Sequence, residues 1–110
     1  MIEIGNILQF NKLMTSTKDL ILIVFTSIWD NKCYKFNLEM EKLELKYKNL
    51  IILSINSDEN LEIKDAYDIK QVPTTVFYKD NTKTYYDIVG VDKINEIEEI
   101  IIKNTPFLNI

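Results

Sequence analysis

An α/β fold with a mixed central sheet and helices on both faces is predicted by three features of this sequence. The run LILIVF, Leu20 to Phe25, is continuously apolar and rich in branched side chains, which suits a strand covered on both faces. Segments of helical spacing stand before and after it, so strands and helices alternate as they do in parallel βαβ units. From Thr74 onward the period falls to two around a turn, the pattern of an antiparallel hairpin joined to that sheet.

Taken in order, Ile2 and Ile4 predict a short edge strand, and Ile7, Phe10 and Met14 a first helix ending at the polar break Thr15 to Asp19. After Leu20–Phe25, the residues Cys33, Phe36, Met40, Leu43 and Tyr47 fall three or four apart among charged neighbours, which defines an amphipathic helix. Leu50 to Ile55 is a second buried strand, and Asn60 to Tyr67 a short helix for which Asp58 or Asn60 is the available cap. TTVFY and TYYDIV flank KDNTK, whose Asp80 and Asn81 are turn formers, as the two arms of a hairpin. Ile94, Ile97 and Ile101 give a last helix one apolar face, so the expected order is βαβαβαββα. The tail from Asn104 is expected to fray except where Phe107 or Leu108 packs.

With 110 residues, 46% of them hydrophobic and 27% charged, the chain fits one folded domain over 1–110 with its core at about 2–103. The formal charge of −4 is spread among interspersed acids and lysines, so no basic stripe exists for a phosphate backbone and direct nucleic-acid binding is not expected. Neither histidine nor arginine occurs, which argues against a histidine-based hydrolase triad, a zinc site and bidentate phosphate clamps. No metal or other cofactor is expected. MIEIGNILQF has no cationic start and long apolar stretch, and no apolar run approaches a membrane span of about 20 residues, so a cytoplasmic, membrane-free protein is expected. The single cysteine cannot form an internal disulfide.

The residues of three segments carry a family resemblance. LILIVFTSIWDNKC is similar to the strand and Trp-Cys-x-x-Cys loop of the thioredoxin family, YDIKQVPTTVFYKD to its cis-proline segment, and Ile88-Val89-Gly90 to the stretch before its last helix. The resemblance implies a thioredoxin fold and thiol-disulfide exchange, in which an exposed thiolate at a helix start attacks a disulfide and a buried thiol resolves the mixed disulfide. Carried over, the loop is Trp29, Asp30, Asn31, Lys32 and Cys33, with Asp30 at the attacking position and Cys33 at the resolving one. The implied peptide groove consists of Trp29, Val72, Pro73 and Gly90, with the Val72–Pro73 bond cis. Val24 stands where the family usually has a buried aspartate, and Leu38 where its helix usually has a kinking proline. The W-D-x-x-C loop also resembles that of the small thioredoxin-like proteins of the spliceosome, which would imply a scaffold role.

Aspartate is a preferred N-cap and gains from the positive helix end, so Asp30 is expected to cap a helix whatever else it does. Cys33 lies in the apolar period of that helix, so it is expected to be buried and, beside a carboxylate, weakly reactive. The reading that follows is a thioredoxin-like protein without its attacking thiol, redox-inactive or redox-impaired, which holds an extended peptide or protein partner in the cis-Pro groove. The alternative is a thiol-disulfide oxidoreductase, either using Cys33 as a monothiol or representing a dithiol thioredoxin altered at Asp30.

Overall fold

The computed structural model describes residues 1–104, and the expected packing of Phe107 and Leu108 lies outside them. Its elements are β1 (Ile2–Glu3), α1 (Ile7–Met14), β2 (Ile21–Thr26), α2 (Asn31–Lys46), β3 (Ile51–Asn56), α3 (Leu61–Ala66), β4 (Thr74–Lys79), β5 (Thr82–Lys83), β6 (Ile88–Val89) and α4 (Ile94–Asn104). The sheet order is β1-β3-β2-β4-β5, with β6 also paired to β4. β1, β3 and β2 run parallel, and β4 turns the sheet antiparallel.

Burial of every residue of β2 explains why its sequence is continuously apolar. Leu20, Leu22 and Val24 face a cluster with Phe36, Met40 and Leu43 of α2 and Ile97, Ile100 and Ile101 of α4. Ile21, Ile23 and Phe25 face the opposite cluster, with Phe10 of α1 and Ile63 of α3. The two-residue alternation of a strand thus feeds two cores at once.

The segment TYYDIV is not the single strand that its alternation suggests. Tyr78 pairs with Lys83 and Thr75 with Ile88, so three steps along β4 face five along the opposing segment. The two surplus residues bulge out between β5 and β6, where exposed Tyr86 stands and Tyr85 packs edge-on against Phe77 at 6.2 Å. An even surplus leaves the inward face unchanged, and Ile88 stays in the same core as Phe77. The turn itself is as expected: Asp80 and Asn81 have φ of 54° and 60°, the left-handed pair that a two-residue hairpin loop requires.

α2 and α4 are tied at their surface by Glu98, whose carboxylate accepts from the Tyr47 hydroxyl and the Lys46 ammonium, both at 2.7 Å. The Lys46 hydrogen bond, followed by that of Tyr47, holds the Glu98 carboxyl below its ordinary value. A depressed carboxyl stabilises fully above its unfolded pKa, about 4.3, and that stabilisation disappears as pH falls through the lower folded value. Glu98→Gln is therefore expected to cost about 1 kcal/mol at pH 7 and much less at pH 3, a difference to be read from urea midpoints at the two pH values.

Candidate functional site

The sheet register delivers the loop to its place. Phe25 lies opposite Thr74 in the antiparallel pair, so the next step sets Thr26 beside Pro73 and sends Ser27–Asp30 over the start of β4. Parallel β3 ends at the same edge, and Ser57 N donates to Thr26 O at 2.8 Å, bringing the residues after β3 alongside the loop.

Asp30 begins α2. One carboxylate oxygen accepts from Lys32 N at 2.9 Å, and the other lies 3.8 Å from the Lys32 ammonium. Its backbone N donates to Ser27 O at 3.2 Å, and its carbonyl accepts from Cys33 N at 3.0 Å. This is an N-cap with a carboxylate at the positive helix end. Asp30→Ala is expected to lower stability by about 1 kcal/mol while Asp30→Asn, which caps equally well, stays near the wild type in thermal unfolding.

Cys33 follows three residues later on the inner face of α2 and is 1% exposed. Burial pushes its thiol up, the carboxylates of Asp30 and Asp58 push the same way, and a backbone hydrogen bond at Ser27 and the Lys32 ammonium oppose them. Asn31 and Lys32 are exposed between the two. Beneath the loop, Val24 is fully buried, with Ser54 of β3 on one side of it and Thr75 of β4 on the other. The Thr75 hydroxyl is buried with no hydrogen-bond partner among the described residues. Leu38 sits within a continuous α2 and is exposed.

The Val72–Pro73 peptide bond is cis. Pro73 is buried and its carbonyl accepts from Gly90 N at 2.9 Å, so these two residues of the expected groove meet directly. Gly90 has φ of 105°, a conformation that a residue with a Cβ adopts only under strain. Val72 is half-buried and shares a cavity with Asp30. Trp29 does not pack onto the loop: it is 83% exposed, beside exposed Ile28.

A feature that the sequence reading passed over is the pairing of Ser27 with Asp58, whose carboxylate accepts from the Ser27 hydroxyl at 2.6 Å. The expected capping role of this segment falls differently, because Asn60 occupies the N-cap of α3 without a side-chain cap bond and instead donates to Asn56 O at 3.0 Å. The available signal was topological: residues that follow two adjacent parallel strands must emerge side by side. Among the described residues no group of three or more His, Cys, Asp or Glu side chains is arranged to hold a metal ion.

A six-stranded mixed sheet among the described residues, with a capped helix start after β2 and a cis-proline before β4, defines an α/β scaffold that in this chain carries one thiol. A family model for Thioredoxin matches residues 3–103, and the chain belongs to the thioredoxin family. It is 27% identical over 101 residues to Thioredoxin from Ophiophagus hannah, covering 91% of this chain and 94% of that protein. It is 28% identical over 83 residues to Glutaredoxin-3 from Mus musculus, covering 74% of this chain and only a quarter (25%) of that longer protein. Among solved structures, Fasciola hepatica thioredoxin superposes with a TM-score of 0.87 at 22% identity, over 94% of this chain and 99% of that one. Reduced Schistosoma mansoni thioredoxin pre-protein gives 0.85 at 26% identity, over 94% and 96%. No helix among the described residues is long and apolar enough to cross a membrane.

Proposed function

We propose that this chain is a thioredoxin-like protein-binding module in which dithiol exchange has been lost. The observation that carries the reading is the sulfur inventory of the loop: one cysteine, 1% exposed, with a capping aspartate at the exposed helix start. Exchange needs a thiolate that opens the substrate disulfide and a second thiol that releases the mixed disulfide. A carboxylate at Asp30 keeps the negative charge at the helix start without nucleophilicity toward sulfur. Cys33 alone would at best stop at the mixed disulfide, and its raised thiol leaves little thiolate at neutral pH.

The binding half of the reading rests on what surrounds the loop. Ile28, Trp29, Val89 and Val91 are exposed large apolar side chains in the loop and in the segment leading to and from Gly90. Exposed apolar residues gathered beside a strand end suit an extended peptide that adds its backbone along Val72 and its side chains against the tryptophan. A reducing, cytoplasmic compartment suits a lone unpaired thiol.

Two measurements test the reading together. Insulin reduction by the wild-type protein, with dithiothreitol as electron source, is expected not to exceed the protein-free rate. Alkylation of Cys33 by iodoacetamide at pH 7 is expected to run at least roughly tenfold slower than that of an exposed thiol of ordinary pKa. Thioredoxin-like turnover, or alkylation faster than that of a free thiol, would favour the oxidoreductase reading instead.

A further inference from the structure

Beside the loop lies a cavity of 220 Å³ lined by Asp30, Ser27, Ser57, Asp58, Lys64 and Val72 among others. Its volume is below the roughly 300 Å³ at which pockets for whole small molecules begin, and matches one long side chain. The Ser57 side chain in its wall is unusual. Ser57 is 3% exposed, and its hydroxyl oxygen is buried with no hydrogen-bond partner among the described residues. A buried hydroxyl left without a partner costs on the order of 1–3 kcal/mol, so its position on a cavity points to a group that enters and bonds to it.

The charges around it identify that group. The Asp58 carboxylate accepts only from the Ser27 hydroxyl among the hydrogen bonds of its side chain, and no cation lies within ion-pair distance of it among the described residues. Asp30 contributes a second carboxylate, engaged by a backbone N–H and by a Lys32 ammonium at the long distance of 3.8 Å. Of the lysines on the cavity, Lys70 is drawn to Asp68 at 3.2 Å, and Lys64 stands on α3. Two carboxylates and an acceptor hydroxyl converging on a side-chain-sized space are matched by a planar fork of N–H donors, and the protein's own charge of −4 draws cationic partners.

We infer that this cavity is a specificity pocket for a basic side chain, arginine above lysine, of the extended peptide bound along Val72. The inference rests on the peptide-binding reading above and adds the chemistry of its partner. The guanidinium spans Asp30 and Asp58 and donates to Ser57, while Lys64 is left to the peptide's carbonyls.

The test uses the full chain, labelled with nitrogen-15, and capped octapeptides of alternating valine and threonine with one central residue varied among arginine, lysine, norleucine and glutamate. Amide shifts are followed to millimolar peptide. The arginine peptide is expected to bind roughly fivefold more tightly than the norleucine peptide, with the largest shifts at Ser57, Asp58 and Lys64. Asp58→Asn is expected to bring that ratio close to one, with thermal unfolding close to the wild type because Asp58 is exposed and the amide oxygen of Asn still accepts from the Ser27 hydroxyl. Equal binding of the arginine and norleucine peptides, or a preference for glutamate that Lys64→Gln removes, overturns the pocket and leaves the groove standing. Failure of every peptide to shift the amides near Val72 and Gly90 overturns the groove and the pocket with it.

Discussion

Asp30→Cys is expected to reduce insulin on the order of a hundredfold faster than the wild-type protein. The reason is geometric. Asp30 is the N-cap of α2 and Cys33 the third residue inside it, and the Asp30 carbonyl accepts from Cys33 N at 3.0 Å, so the two residues close the first turn of the helix. A thiol placed there is expected to reach Cys33 across that turn. It also inherits the positive helix end, which lowers a thiol pKa and raises its thiolate fraction. The second thiol makes release of the mixed disulfide an intramolecular step, which accounts for most of the expected gain.

Oxidation of that variant should remove the mass of two hydrogens and protect both cysteines from alkylation. The reduced variant should still fall short of a full thioredoxin, because Val24 stands where the resemblance implies a buried aspartate that assists proton transfer. If the internal disulfide forms but insulin is not reduced, the surface around Trp29 and Pro73 no longer admits a disulfide substrate. That outcome would remove the groove from the proposed function.

How far the sequence carried these conclusions depended on the range of each interaction. The central strand was legible because Leu20–Phe25 is apolar at every position, and only two covered faces demand that. The burial of Cys33 and the capping by Asp30 were legible because both are settled within one helical turn. The break in TYYDIV was not, since a surplus of two residues preserves alternation and leaves no mark on the apolar pattern. Nor was the Ser27–Asp58 bond, which joins residues 31 apart that meet only through the parallel pairing of β2 with β3. The exposure of Trp29 also escaped the sequence, because an indole in a loop is equally at home packed or solvated.

Val24→Asp is expected to be the most destabilising single exchange in the site, and its cost should depend on pH. Val24 is fully buried among Leu22, Phe36 and Met40, where an ionised carboxylate loses its hydration. Its neighbours across the sheet are Ser54 and Thr75, and the unpartnered Thr75 hydroxyl can donate to the new group, which tempers the loss without abolishing it. Burial raises the folded pKa by roughly 2–3 units above an unfolded value of about 3.9. An acid whose folded pKa is raised carries no ionisation penalty below the unfolded value. Above it the penalty grows by about 1.4 kcal/mol per pH unit until the folded pKa is reached, and is then constant. The variant should therefore lose roughly 4 kcal/mol at pH 8, of which only about 1 kcal/mol remains at pH 3.5 from lost packing and a buried neutral carboxyl. Val24→Asn separates the two parts, since it has nearly the same shape and no charge, and its urea midpoint should shift by the same amount at both pH values. A pH-independent loss for Val24→Asp would mean that water reaches the strand beneath Cys33. In that case valine is not a response to a dry core. The double variant with Asp30→Cys then joins stability to chemistry: a faster reductase than Asp30→Cys alone, in a less stable protein, is the expected result if an acid at this strand position is kept only where a thiol needs it.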